Sequence, residues 1–123
     1  EEAYQGSSEK YGTERDPMVG HKIGGVNVFG GGLALYNSEG KLVGAVGVSG
    51  DSSCADHNIA WKVRNRLKLD YVPAGVSPLN DDNIVYDITN DVSVSGWGHP
   101  QCSTEAAKVA QEFPKTYPVR KKK

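Results

Sequence analysis

Residues 33–56, LALYNSEGKLVGAVGVSGDSSCAD, decide the fold class. Leu33-Ala34-Leu35-Tyr36 is an apolar run that meets a turn signal at Asn37-Ser38-Glu39-Gly40, where Asn opens the turn and Gly supplies a positive φ at its end. Lys41 to Val48 returns as a near-continuous apolar strand, with Gly44 and Gly47 where a second backbone packs close. Leu33–Val48 is therefore expected to be a β-hairpin. Ser49 to Ser53 then turns the chain into a helix. Asp51, Ser52 and Ser53 are all good N-caps, and Asp56 falls in the first turn, where the helix dipole favours negative charge. The helix is expected from about Cys54 to Leu67. Ile59, Val63 and Leu67, with Ala60, form its expected buried stripe, and Lys62, Arg64, Arg66 and Lys68 decorate the other faces.

Working outward, Gly25 to Phe29 alternates as a short strand before Gly30-Gly31-Gly32 interrupts it. Residues 1–24 have neither helical nor strand periodicity and are expected to form an extended N-terminal arm lying on a surface. Downstream, Asp70 to Pro78 is loop, Asn83 to Ile88 a strand, and Val92 to Trp97 an edge strand. Thr104 to Phe113 is a final helix ended by Pro114. This order predicts an α+β fold, an antiparallel β-sheet with flanking helices, and excludes a doubly wound parallel sheet.

The 123 residues suit one domain. Fourteen basic against fifteen acidic residues give a net charge of −1, which argues against a nucleic-acid partner, and no apolar run is long enough for a membrane span. The charge is graded. Residues 1–16 carry five acids and two bases, whereas the last nine hold Lys115, Arg120, Lys121, Lys122 and Lys123. Residues 25–113 are thus expected to be the folded domain and 114–123 a solvated basic tail. The chain begins with Glu, so it is expected to start inside something longer.

Gly47-Val48-Ser49-Gly50-Asp51 resembles a nucleophile elbow but ends in Asp rather than Gly. The glycines form neither a dinucleotide fingerprint nor a P-loop. What survives is a helix N-terminus at which Gly50, Ser52 and Ser53 could hold an anion, against plain capping by Asp51 and Ser52. A more pointed constellation is Cys54-x-x-His57 with His99-x-x-Cys102. It is compatible with a Cys54–Cys102 disulfide, with free buried thiols, or with a metal site made of Cys54, His57, His99 and Cys102. A disulfide would close a loop of about 50 residues and contribute about 4 kcal/mol by the chain-entropy model. Oxidised cysteines cannot ligate metal, so the alternatives exclude one another. An even cysteine count suits an oxidising compartment.

Gly24-Gly25-Val26, GGGLALYNSEGKLVGAVGVSGD at 30–51 and the following Asp56 resemble the GlcG/HbpS-like haem-binding family, which is related to the C-terminal domain of PduO-type proteins. DPMVGHKIGGVNVFGGGLALY, SCADHNIAW and GHPQC resemble its exported members. The resemblance covers about residues 16–102, with Asn27 where many members have Pro. It implies that the family's first helix and strands are missing here, leaving the C-terminal two-thirds of the domain. A homo-oligomer, or a separate N-terminal chain completing the sheet, would then cover the gap. Val26, Val28, Leu33, Leu35, Val46 and Val48 would divide between the chain's own core and that partner, and the arm would run across a neighbour.

The resemblance implies a haem-binding or haem-sensing protein without catalytic activity of its own, periplasmic or extracellular. His57, His99, Trp61 and Arg64 are the expected cofactor-binding residues: imidazoles for the iron, an indole face for the porphyrin, a guanidinium for a propionate. One alternative is a small enzyme or enzyme subunit acting on a small hydroxy acid or related metabolite, with His57 as general base beside Asp56 or Asp51. Another is a structural subunit of a larger assembly.

Overall fold

The computed structural model describes residues 4–22, 24 and 29–122; of the expected strand Gly25–Phe29, all but Phe29 lies outside them. The chain is α+β. The hairpin forms where the turn chemistry places it: β1 (Gly31–Tyr36) pairs antiparallel with β2 (Leu42–Val48), Leu33 opposite Val46. Asn37 closes the turn twice, its carbonyl accepting from the Gly40 amide at 2.9 Å and its Oδ1 from the Glu39 and Lys41 amides at 3.0 Å each. Gly40 takes φ 73°, as this turn requires.

Helix α1 (Ser53–Arg66) starts at the Ser52 cap, whose hydroxyl accepts from the Ala55 amide at 3.2 Å. It lies across β1 so closely that a Cβ on Gly31 would stand 2.5 Å from the Asp56 carbonyl oxygen. Only glycine permits this approach. Beyond α1, Lys68 turns through φ 57° and Leu69 accepts from the Tyr36 amide at 2.8 Å, bringing Asp70 beside the end of β1.

The buried face of α1 is not the expected one. Ile59, Val63 and Leu67 are exposed, whereas Cys54, Asp56, His57, Asn58, Ala60, Trp61 and Arg64 are buried. A helix normally turns its apolar stripe inward. Here the inward polar groups find partners: Asn58 Nδ2 donates to the Ala106 carbonyl at 2.9 Å, and Arg64 forms a bidentate pair with Asp82 at 2.6 and 2.8 Å. Each such hydrogen bond offsets the desolvation that would otherwise forbid burial.

Helix α2 (Thr104–Thr116) packs on α1, its Phe113 stacked on Trp61 with ring centroids 5.2 Å apart. The core comprises Leu33, Ala60, Trp61, Ala110 and Phe113, with Val46 and Val48 against it. Pro114 does not end α2; the helix continues to Thr116. Proline cannot donate to the carbonyl four residues back, and Asn83 Nδ2 serves the Ala110 carbonyl instead, at 2.8 Å.

Two expected strands shrink. Of 83–88 and 92–97 only β3 (Ile88–Thr89) and β4 (Val92–Ser93) pair, as a separate two-stranded sheet across Asn90 (φ 51°) and Asp91 (φ 63°). Side chains take the backbone donors a longer ladder would use. Asp87 Oδ2 accepts from the Ser95 amide at 2.7 Å, and Ser93 Oγ from Gly96 and Gly98 at 3.0 and 2.8 Å.

The chain ends also depart from expectation. The described part of the arm folds on itself: the Gln5 amide meets Met18 Sδ at 3.1 Å, and Asp16 accepts from Gly12 and Met18 at 2.7 and 2.8 Å. The basic segment is docked as far as Arg120. Trp61 Nε1 donates to the Tyr117 carbonyl at 2.9 Å, Val119 lies against the core, and Arg120 pairs with buried Asp70 at 2.6 Å. Lys121 and Lys122 are exposed.

Candidate functional site

Cys54 sits in the first turn of α1, and Cys102 lies just before Ser103, the N-cap of α2. Both sulfurs therefore face helix N-termini, and they are joined as a disulfide with Cα atoms 6.0 Å apart. The bridge is laced by crossed backbone donors: the Cys54 amide points at Cys102 Sγ (3.4 Å) and the Cys102 amide at Cys54 Sγ (3.3 Å).

His99 completes this corner. Its amide is held by the Val85 carbonyl at 2.8 Å, its Nδ1 donates to the Pro100 carbonyl at 2.6 Å and lies 3.8 Å from Cys54 Sγ, and its Nε2 lies 3.1 Å from Ser53 Oγ. The ring is half-buried and opens onto a cavity of about 440 Å³ lined by Tyr86, Ile88, Asp91, Pro100 and Gln101. That wall belongs to the β3–β4 lobe, whose strands and following loop expose the apolar side chains Ile88, Val92, Val94 and Trp97. Residue typing alone missed Tyr86, Ile88 and Asp91. Beside the two expected strands, the Asn90-Asp91 pair, suited to a positive-φ hairpin turn, is a local signal for this lobe.

The four proposed metal ligands do not meet as a set. Cys54, His99 and Cys102 present ligand atoms within 4.8 Å of one another. His57 is on another side of the helix start, its Nε2 2.9 Å from Asn83 Oδ1 and 3.3 Å from the Ile84 amide. In the disulfide state the sulfurs are not available as thiolate ligands.

Three of the four expected cofactor residues are committed to the interior. Trp61 is 2 % exposed between Phe113 and the Arg64 guanidinium, which lies 4.9 Å from its ring centroid. Arg64 is fully buried and paired with Asp82, with a further bond to the Ala34 carbonyl at 3.1 Å. Neither offers a face to a porphyrin or a donor to a propionate. His57 is also buried, and Asp56 and Asp51 bond to each other at its helix end, the Asp51 amide to Asp56 Oδ1 at 3.1 Å, instead of to its ring. The acid–base pairing expected at His57 is thus not formed. His99 alone of the four stands at an open surface.

The anion cradle at Gly50, Ser52 and Ser53 is likewise spent internally. Ser52 Oγ caps Ala55, the Ser52 amide bonds Asp51 Oδ1 at 2.6 Å, and Ser53 Oγ turns to His99.

Burial lowers the pKa of His57 below its ordinary 6.5, more than the Asn83 hydrogen bond and the Asp82 charge raise it. The folded protein therefore holds a neutral imidazole that the unfolded chain would protonate. Protons then favour unfolding: stability is expected to be full above about pH 6.5 and to fall as the pH drops below it. His57→Gln, which keeps a polar partner for Asn83, is expected to flatten that decline. Urea midpoints measured for both proteins from about pH 8 to pH 5 check it; parallel profiles would contradict it.

Searches of curated proteins and of solved structures each return no match. A scan of family models does: residues 2–64, from the arm through the hairpin into α1, match the model described as haem degrading protein HbpS-like. Since the matched segment covers more than half of the 123 residues and contains the hairpin-to-helix unit described above, the chain belongs to the HbpS-like family.

Proposed function

We propose that this chain is an exported haem-binding protein that senses or carries haem and has no catalysis of its own, acting in the periplasm or outside the cell. The observation that carries the reading is His99: an imidazole at the mouth of the cavity under the apolar β3–β4 lobe. The donor set fits the group. An imidazole is a common axial ligand, the Tyr86 phenol is of a second ligand type, and Ile88 offers apolar contact to a macrocycle. When bound, haem would supply the iron centre and its Soret absorption; the chain's part is to present His99, its amide held by Val85 and its Nδ1–H by the Pro100 carbonyl at 2.6 Å, with Nε2 exchanging Ser53 for the iron, and to exclude water with the lobe. Family membership supports a haem-related role, and the disulfide suits an oxidising compartment. No helix among the described residues is long and apolar enough to cross a membrane.

The same proposal takes the chain as a subunit, either of a homo-oligomer or of an assembly with a second chain. Leu42 and Val43 on β2, and Ile59, Val63 and Leu67 on α1, are exposed, an apolar surface larger than scattered single residues would give.

Haemin titration followed at the Soret band is the test. A saturable red shift is expected with the native chain, weakened at least about tenfold in His99→Ala and unaltered in His57→Gln, since loss of an axial ligand removes a direct bond to iron. No shift, or one indifferent to His99, would overturn the proposal. Soret loss under a reductant in air would show turnover and make the protein an enzyme. Native mass spectrometry of the same sample reports the assembly, and a monomer at micromolar concentration would remove the subunit reading.

A further inference from the structure

The corner that holds the disulfide has a second chemistry. We propose that reduction of Cys54–Cys102 converts it into a zinc site with Cys54 Sγ, Cys102 Sγ and His99 as ligands. This inference does not depend on haem binding.

The geometry is close to what zinc asks. Tetrahedral zinc with Zn–S of about 2.3 Å and Zn–N of about 2.0–2.1 Å separates its sulfur and nitrogen ligands by about 3.6 Å, and its two sulfurs by about 3.8 Å. His99 Nδ1 already stands 3.8 Å from Cys54 Sγ. The two sulfurs need only part from bonding distance, and Cys102, exposed in a loop, is free to move while Cys54 is fixed inside α1. In the disulfide state Nδ1 donates to the Pro100 carbonyl at 2.6 Å. Metal binding therefore requires that proton to pass to Nε2, where Ser53 Oγ at 3.1 Å accepts it, and Nδ1 to turn from the carbonyl to the metal.

The electrostatics agree. Both sulfurs lie at the N-terminal ends of helices, and each receives a backbone N–H from the other cysteine's residue. Helix N-termini and such donors favour thiolate over thiol. In the disulfide these donors meet sulfurs that carry no charge; in the dithiolate they would meet two.

The conversion balances. Two equivalents of a thiol, or one dithiol, deliver two electrons and two protons to the S–S bond, giving two cysteine thiols and the reductant's disulfide. Zn²⁺ then displaces the two thiol protons to solvent, and His99 joins as a neutral ligand, so the zinc centre carries no net charge. Water takes the fourth position.

Cobalt reports this site directly. The full chain, reduced with a phosphine and titrated with Co²⁺, is expected to develop thiolate-to-cobalt charge-transfer absorption saturating at one metal per chain, then to lose it on adding Zn²⁺. The oxidised chain should show none. Cys102→Ser should abolish the band, and His99→Ala should weaken binding at least about tenfold, since even outer partners of metal ligands are worth 10- to 100-fold. Zn²⁺ should also raise the melting temperature of the reduced native chain and leave that of the oxidised chain unchanged, a readout that holds if a variant folds poorly. Equal cobalt spectra in both redox states, affinity indifferent to His99, or a reduced chain that zinc does not stabilise would each overturn the proposal.

Discussion

Asp82→Ala should destabilise the protein by about 3–5 kcal/mol, the range for removing one partner of a buried ion pair. Arg64 is fully buried in the last turn of α1, and among the described residues its charge is met only by the Asp82 carboxylate, at 2.6 and 2.8 Å. Its other engagements, the Ala34 carbonyl and the Trp61 face, are dipolar or quadrupolar, and Nε has no partner among the described residues. Deleting the carboxylate strands a cation in the core. Replacing both residues, as Arg64→Met with Asp82→Leu, is expected to recover much of the loss, because an apolar pair carries no desolvation cost. Urea unfolding of the two variants against the native chain checks both statements. A loss below about 1 kcal/mol for Asp82→Ala would show that solvent reaches the guanidinium once the carboxylate is gone.

Opening the disulfide should cost about 4 kcal/mol in a metal-free buffer. The bridge joins positions 48 residues apart, and the entropy of closing a loop of that length in the unfolded chain sets the figure. The effect matters because the core is small, a cluster of five buried side chains among the described residues with partly buried neighbours. It also tethers the loop that carries His99 to the start of α1, so reduction should loosen the proposed haem ligand as well as the fold. Denaturant midpoints with and without phosphine measure the first consequence, and haemin affinity of the reduced chain the second. A reduced protein of unchanged midpoint would mean that the helix contacts alone set the geometry of this corner.

The hairpin and both helices were legible because their signals are local. Asn37 and Gly40 specify a turn, and Ser52 and Ser103 specify caps, without reference to anything distant. The Cys54–Cys102 bridge was one of three alternatives that the sequence left open, beside free thiols and a metal site, and the structure joins the two sulfurs. The facing of α1 was not legible. Its sequence offers an apolar series at Ile59, Val63 and Leu67, but burial went to His57, Asn58 and Arg64, whose partners lie 18 to 48 residues onward. The site suffered from the same cause. Trp61 and Arg64 have the right chemistry for a porphyrin and its propionates, and only tertiary structure reveals that Phe113 and Asp82 have already claimed them. Asn83 to Ile88 has the β-branched and aromatic residues of a strand, yet its first backbone donors are served by side chains, which composition does not register.

The polar inner face of α1 constrains the order in which the molecule is made. During synthesis the hairpin and α1 leave the ribosome first, carrying Asn58, Trp61 and Arg64 with nothing to receive them. Their acceptors and counter-ion, at Ala106, Tyr117 and Asp82, arrive later. Until then, docking α1 on β1 would bury an unpaired guanidinium and unpaired amide groups, which is unfavourable. The hairpin and α1 are thereby disfavoured from docking on each other before the segments that carry Asp82, Ala106 and Tyr117 are available. The partner of Cys54, Cys102, lies in the same later stretch, so the contacts that seat α1 and the bond that tethers its start draw on one part of the sequence.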